Sequence, residues 1–206
     1  MSVVRVKICG ITRPEDVTAS VQAGADALGF VFAPRSKRCI SAEQAVDLVR
    51  AVPAFVCRVG LFMNAEADDV RRTLARVPLN LLQFHGDEAV DYCEQFDRPY
   101  IKAVSMAAGS DWRAVLRTHR NAAAFLLGSH APGAPGGTGE VCDWDSSPAI
   151  DAPIVRAGGL TCENVAEAVR RVRPWAVDVS SGVEDAPGIK DPAKIRQFIS
   201  EAKREN

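Results

Sequence analysis

Cys9 ends the alternating run Val4-Arg5-Val6-Lys7-Ile8-Cys9-Gly10. A thiol there can act as a nucleophile or a general base, because its thiolate is the reactive form. Strand alternation puts Lys7 on the face of Cys9 and, far along the chain, Asp178 on the face of Ser180. In a closed barrel, where the first and last strands are neighbours, Lys7 and Asp178 could pair, and an ammonium near a thiol favours its thiolate. The alternative is a structural cysteine above a structural ion pair. Arg38, in the basic run Arg35-Ser36-Lys37-Arg38, can hold a carboxylate by two parallel bonds, or be a solvated charge. His85 can contact a ligand or cap the helix after it. Two glycine-rich turns, Gly158-Gly159 and Ser180-Ser181-Gly182, suit an anion: glycines let backbone N–H groups approach it and serines add hydroxyl donors. The bland reading of each is a tight turn.

These residues are far apart in sequence, so their use depends on what brings them together. Strand-like and helix-like segments alternate throughout. Strands are expected at Val4–Cys9, Ala27–Phe32, Phe55–Phe62, Leu79–Phe84, Tyr100–Val104, Ala123–Leu127, Pro153–Ala157 and Trp175–Val179. Helices follow them, from about Pro14–Ala23 with Thr12 as cap, from Ser41, over Glu66–Val77, to about Phe96, over 111–120, near Asp143–Ile150 in weak form, over Glu163–Val172 with Thr161 as cap, and over Pro192–Lys203 with Asp191 as cap. The longest loop is Gly128–Gly139, rich in glycine and proline. Eight strand–helix units imply a parallel sheet closed as an α/β (β/α)8 TIM barrel, one domain over residues 1–206. In that fold the strand C-termini carry the chemistry, and phosphate is usually held after strands seven and eight. The open doubly wound alternative lacks a Gly-x-Gly-x-x-Gly after the first strand.

Composition fits this picture. The chain has 206 residues, 47% hydrophobic and 25% charged, enough for one sizeable core. The net charge of −1 offers no general basic field for nucleic acid. No run approaches the ~18 apolar residues of a membrane span, and no leader pattern opens the chain. The six cysteines, Cys9, Cys39, Cys57, Cys93, Cys142 and Cys162, lack metal-ligand spacing and fit reduced thiols in a cytoplasmic protein. Metal is therefore not expected, and a charge-balanced single domain suggests a monomer.

Taken together, Lys7-Ile8-Cys9-Gly10-Ile11-Thr12, Gly29-Phe30-Val31-Phe32, Ser36-Lys37-Arg38, Gln83-Phe84-His85-Gly86, Ile101-Lys102-Ala103-Val104, Gly136-Gly137-Thr138-Gly139, Asp143-Trp144, Ala157-Gly158-Gly159-Leu160 and Val177-Asp178-Val179-Ser180-Ser181-Gly182-Val183-Glu184 make the chain resemble phosphoribosylanthranilate isomerase of tryptophan biosynthesis. The resemblance spans nearly the whole chain. It implies an Amadori rearrangement of a phosphorylated aminosugar. The ring opens to a Schiff base, and loss of the C2′ proton then gives an enolamine. No cofactor is implied, since the iminium is its own electron sink. It makes Cys9 the general base, Arg38 the holder of the anthranilate carboxylate, and His85 and Asp178 substrate contacts. Gly158, Gly159, Ser180, Ser181 and Gly182 would hold phosphate.

One departure bears on catalysis. The family pattern ends strand six in Leu-Leu-Asp, and that Asp is the general acid; here the chain reads Leu126-Leu127-Gly128. Glycine donates no proton, and general acid catalysis contributes about 10²–10⁴-fold. Ser129 and His130 follow, without being fixed in the same place. Cys39, Cys142 and Arg156 also depart from the pattern, and a charge at 156 inside a strand needs a partner or an exit to solvent.

Overall fold

A computed structural model describes residues 3–107, 109–128 and 152–204. Eight parallel strands close on themselves in chain order. They are β1 Arg5–Cys9, β2 Ala27–Val31, β3 Cys57–Phe62, β4 Leu81–Phe84, β5 Tyr100–Ser105, β6 Ala124–Gly128, β7 Ile154–Arg156 and β8 Ala176–Val179. The barrel shuts where β1 pairs with β8, with Lys7 level with Asp178. Helices cover it: α1 Pro14–Gln22, α2 Ala42–Arg50, α3 Ala67–Arg76, α4 Val90–Glu94, α5 Trp112–Thr118, α6 Val165–Val172 and α7 Pro192–Arg204. The expected (β/α)8 architecture is thus present. Strands that bury both faces read as near-continuous apolar runs. Alternation still sorts their side chains, and two cores result. Ile101, Ala103, Ala124, Leu126, Val155, Ala157 and Ala176 fill part of the barrel interior. Ile8, Leu28, Phe30, Phe62, Phe84, Val177 and Val179 point the other way, into the layer beneath the helices.

Several boundaries moved for physical reasons. Ser41 caps α2 through a reciprocal box: its Oγ accepts from Gln44 N–H at 3.2 Å while Gln44 Oε1 accepts from Ser41 N–H at 2.9 Å. Thr12 does not cap α1. Arg13 occupies the cap position, and the Thr12 hydroxyl donates instead to the Gly188 carbonyl. Phe55 is fully exposed and precedes β3, which begins at Cys57. α6 starts at Val165, because Thr161 Oγ1 accepts from Glu163 N–H in a turn ahead of the helix. Asp191 caps α7 as expected, accepting from Ala193 and Lys194 N–H at 2.7 and 3.3 Å.

Two features were not anticipated. After β8 and a 3-10 turn at Ser181–Val183, the chain forms a small antiparallel hairpin of β9 Glu184–Ala186 and β10 Ile189–Lys190. Arg13 Nη2 donates to the Lys190 carbonyl at 3.1 Å, which fastens this hairpin to α1. Arg156 is fully buried in β7. Its neighbours Val155 and Ala157 belong to the barrel interior, so Arg156 faces the layer outside the strands. Gly128, expected to open the loop Gly128–Gly139, instead closes β6. The rest of that loop, with Gly136, Gly137, Cys142, Asp143, Trp144 and the weak helix to Ile150, lies outside the described residues.

Candidate active site

A small cavity of about 70 Å³ opens at the C-terminal ends of the strands. Cys9, Arg38, His85, Asp178 and Ser180 all line it, with Gln83 and Ser36 beside them. The barrel therefore brings five of the sequence-selected residues to one place. Of the basic run, Arg38 and Ser36 reach the cavity, whereas Arg35 and Lys37 are exposed.

Cys9 projects inward from the last position of β1 and is buried. β2 makes room for it with Gly29, the residue level with Cys9. A Cβ at 29 would stand 2.8 Å from Cys9 Sγ and 3.1 Å from Lys7 Nζ, so no larger residue fits without moving both. Lys7 Nζ donates to Asp178 Oδ1 at 2.7 Å, and both side chains are nearly sealed from water. This is the expected ion pair. Burial works against the Lys7 charge, but Asp178 and then Cys9 hold its pKa above the ordinary value. Lys7 alone does not set the Cys9 thiol. Burial pushes the Cys9 thiol up, Lys7 pulls it down, and Asp178 pushes it up again; the net shift is upward. Lys7 still favours the thiolate, but burial and the Asp178 carboxylate together outweigh it.

Arg38 also differs from the free clamp that was expected. Its Nε and Nη2 donate to Glu184 Oε1 and Oε2 at 2.9 and 2.7 Å. Lys190 Nζ donates to the same Oε1 at 2.8 Å, to the Ser180 carbonyl at 3.1 Å, and to Ser180 Oγ at 3.4 Å. The bond to Glu184 raises the Arg38 pKa despite burial. Burial opposes the Glu184 charge, yet Arg38 and Lys190 carry its pKa below the ordinary value. Glu184 and Lys190 are the site residues that sequence reasoning passed over. The signal was present in Val183-Glu184 and in a lysine six residues later, but nothing in the spacing foretells a hairpin that folds back.

His85 does not cap α4, whose cap position is Ala89; its Nδ1 lies 3.2 Å from Gln83 Nε2. Gly158 and Gly159 follow β7 with left-handed backbone, φ +87° and +65°. Gly182 packs against the Leu160 carbonyl, so the loops after β7 and β8 adjoin, with Ser180 at the cavity edge and Ser181 next to it. Gly128 closes β6. Ala124 and Leu126 point into the barrel, so a side chain at 128 would point to its mouth.

A larger cavity, about 380 Å³, lies on the other side of His85 beneath α4 and α5. Its buried lysine and glutamate are paired with each other. Lys102 Nζ donates to Glu88 Oε2 at 2.8 Å and to the Gly86 carbonyl at 2.5 Å, and Glu88 accepts from the N–H groups of Asn64 and Gly86. That buried pair ties down the loop that carries His85. Among the described residues no cluster has metal-ligand composition, and no helix is long and apolar enough to cross a membrane.

A buried thiol, an arginine and two adjoining glycine turns on the C-terminal rim of a closed parallel barrel define the class: a (β/α)8 barrel built to act on a small anionic ligand. The family described as "PRAI: N-(5'phosphoribosyl)anthranilate (PRA) isomerase" matches residues 6–201. The N-(5'-phosphoribosyl)anthranilate isomerase of Pseudomonas savastanoi pv. phaseolicola is 53% identical over 201 residues, covering 97% of this chain and 98% of that protein. A crystal structure of phosphoribosyl anthranilate isomerase in complex with reduced 1-(o-carboxyphenylamino)-1-deoxyribulose 5-phosphate superposes with TM-score 0.83 at 41% identity, covering 98% and 99% of the two chains. Monomers generated from the dimeric Thermotoga maritima isomerase superpose with TM-score 0.84 at 40% identity, covering 97% and 98%. The chain belongs to the N-(5'-phosphoribosyl)anthranilate isomerase family.

Proposed function

We propose that the chain carries out the Amadori rearrangement of N-(5-phosphoribosyl)anthranilate to 1-(2-carboxyphenylamino)-1-deoxyribulose 5-phosphate in tryptophan biosynthesis, and that it does so slowly. The observation that supports this reading best is the single cavity shared by Cys9, Arg38, His85, Asp178 and Ser180. In this reading the anthranilate carboxylate lies on Arg38. The phosphate lies on Gly158, Gly159, Ser180, Ser181 and Gly182. His85 and Asp178 flank the sugar. Protonation of the ring oxygen breaks its bond to C1′, and the nitrogen lone pair forms the iminium. Cys9 thiolate then takes the C2′ proton, the C–H pair moves to form the enolamine, and tautomerisation gives the ketone. No side chain at 128 donates the first proton, so water or His130, which lies outside the described residues, supplies it and ring opening limits turnover.

Two measurements test this: rescue of a tryptophan auxotroph lacking the isomerase, and a direct assay of turnover. Slow turnover with weak rescue is expected. Turnover at the rate of the Pseudomonas relatives would overturn the missing-acid reading. Gly128 also favours a second reading, a barrel that binds the phosphosugar without converting it. Calorimetric binding of the reduced product together with zero turnover would select that one. Another phosphosugar isomerase would turn over substrates lacking the carboxylate, with Arg38→Ala then without effect. We further place the protein in the cytoplasm as a monomeric single domain; a dimer in sedimentation would overturn the oligomeric part.

A further inference from the structure

Arg38 is not a loose clamp, and the geometry around it points to a second residue that sets how it binds. A guanidinium is planar and has five N–H donors, arranged so that two different edges can each grip one carboxylate. Glu184 takes the edge formed by Nε and Nη2. What is left is the end edge, Nη1 with the second Nη2 proton, on a side chain that lines the cavity beside Cys9. A carboxylate placed between an arginine and a ligand carboxylate would ordinarily repel the ligand. Lys190 removes that objection, since its buried ammonium neutralises Glu184 and leaves Arg38, Glu184 and Lys190 with one net positive charge. The same ammonium donates to the carbonyl of Ser180 and reaches its hydroxyl, tying the arginine to the loop proposed to hold phosphate.

We infer that Glu184, itself held by Lys190, is a positioning residue: it fixes the Arg38 plane so that only the end edge meets the substrate carboxylate, and so sets the preference for a carboxylated aromatic amine. This rests on the proposed role of Arg38. The alternative is that Glu184 occupies the arginine until substrate displaces it, a plug rather than a support.

The test uses two probes, the reduced product and the same compound without its ring carboxyl, measured by calorimetry on the full chain. Wild-type protein is expected to prefer the carboxylated probe, and Arg38→Met to lose that preference. Glu184→Gln keeps the shape but weakens the grip. It is expected to cut the preference about tenfold, the scale of one charge-assisted hydrogen bond, while changing the affinity for the decarboxylated probe by less than about twofold. If Arg38→Met keeps the preference, the role of Arg38 itself fails. If Arg38→Met loses it but Glu184→Gln keeps it, or weakens both probes alike, the positioning role fails. A readout on the unaltered protein stands whether or not the variant folds. In nitrogen NMR the Arg38 Nε–H is expected to stay protected from exchange when the carboxylated probe binds. Loss of that protection would mean that Glu184 is displaced, and would overturn the inference in favour of the plug.

Discussion

The two sides of the barrel mouth are built from different materials. Where β8, β1 and β2 meet, three largely buried ion pairs crowd the mouth: Lys7 with Asp178, Arg38 with Glu184, and Glu184 with Lys190. Cys9 sits among them. Around β5, β6 and β7 the interior is Ile101, Ala103, Leu126, Val155 and Ala157, and the strand that should end in an acid ends in Gly128. The first side can bind anions and take a proton. Among its described residues, the second offers packing and, at the inward strand ends, no carboxylic acid. In the proposed reaction carboxylate binding and the second chemical step depend on one half, and the first chemical step on the other, so the two should separate in experiment.

The largest effect should come from giving the apolar side its acid. Gly128→Asp is expected to raise kcat by about 10²–10⁴, the usual weight of a positioned general acid, with KM little changed because none of the proposed carboxylate and phosphate contacts is altered. Steady-state kinetics on both proteins decides it. No gain in kcat would mean that the halves do not divide the reaction in this way. Cys9→Ser in the same background should remove the gain, since an opened ring still needs its C2′ proton taken.

The charged side should be the less forgiving one in stability. Lys7→Met leaves the Asp178 carboxylate buried without its ammonium, and losing one partner of a buried pair costs about 3–5 kcal/mol. Leu126→Ala on the apolar side removes packing and leaves a cavity, a cost of about 2–5 kcal/mol set by how far the neighbours collapse. Urea unfolding of the two variants measures both. Reduced-product affinity is the sharper discriminator: it should fall with Lys7→Met and hold with Leu126→Ala. Equal losses in affinity would erase the proposed division.

How much of this could be read in advance differs between the sides for the same reason. The strands were legible because buried parallel strands are short apolar runs between turn residues, and Lys7 and Asp178 could be paired because closure of an eight-stranded barrel makes β1 and β8 neighbours. Glu184 and Lys190 were not assigned, because their roles depend on a hairpin of two- and three-residue strands with no periodicity to mark it. Thr12 looked like a helix cap by spacing alone; that same hairpin supplies the carbonyl that claims its hydroxyl. Gly128 was conspicuous only by comparison with a pattern, since a glycine at a strand end is unremarkable by itself. The Cys9 thiol was legible only in part: sequence places Lys7 beside Cys9 and Asp178 opposite Lys7, but it does not say how far burial of the thiol outweighs the lysine.

The raised thiol yields the subtlest prediction. A thiol whose folded pKa is raised is neutral below that pKa and becomes the working base only as pH rises through it. The free protein should therefore show thiolate absorbance at Cys9, taken as wild type minus Cys9→Ser, only above the ordinary thiol range. The rate of alkylation at Cys9 should climb over the same interval. In Gly128→Asp, where ring opening no longer limits, kcat/KM should rise on the alkaline side with the same midpoint. Wild type should show a weaker trend, because its slow step precedes the one that uses Cys9. A thiolate already formed at neutral pH would mean that Lys7 serves the cysteine more than it serves Asp178, and the charged half would then be poised for catalysis rather than only paired.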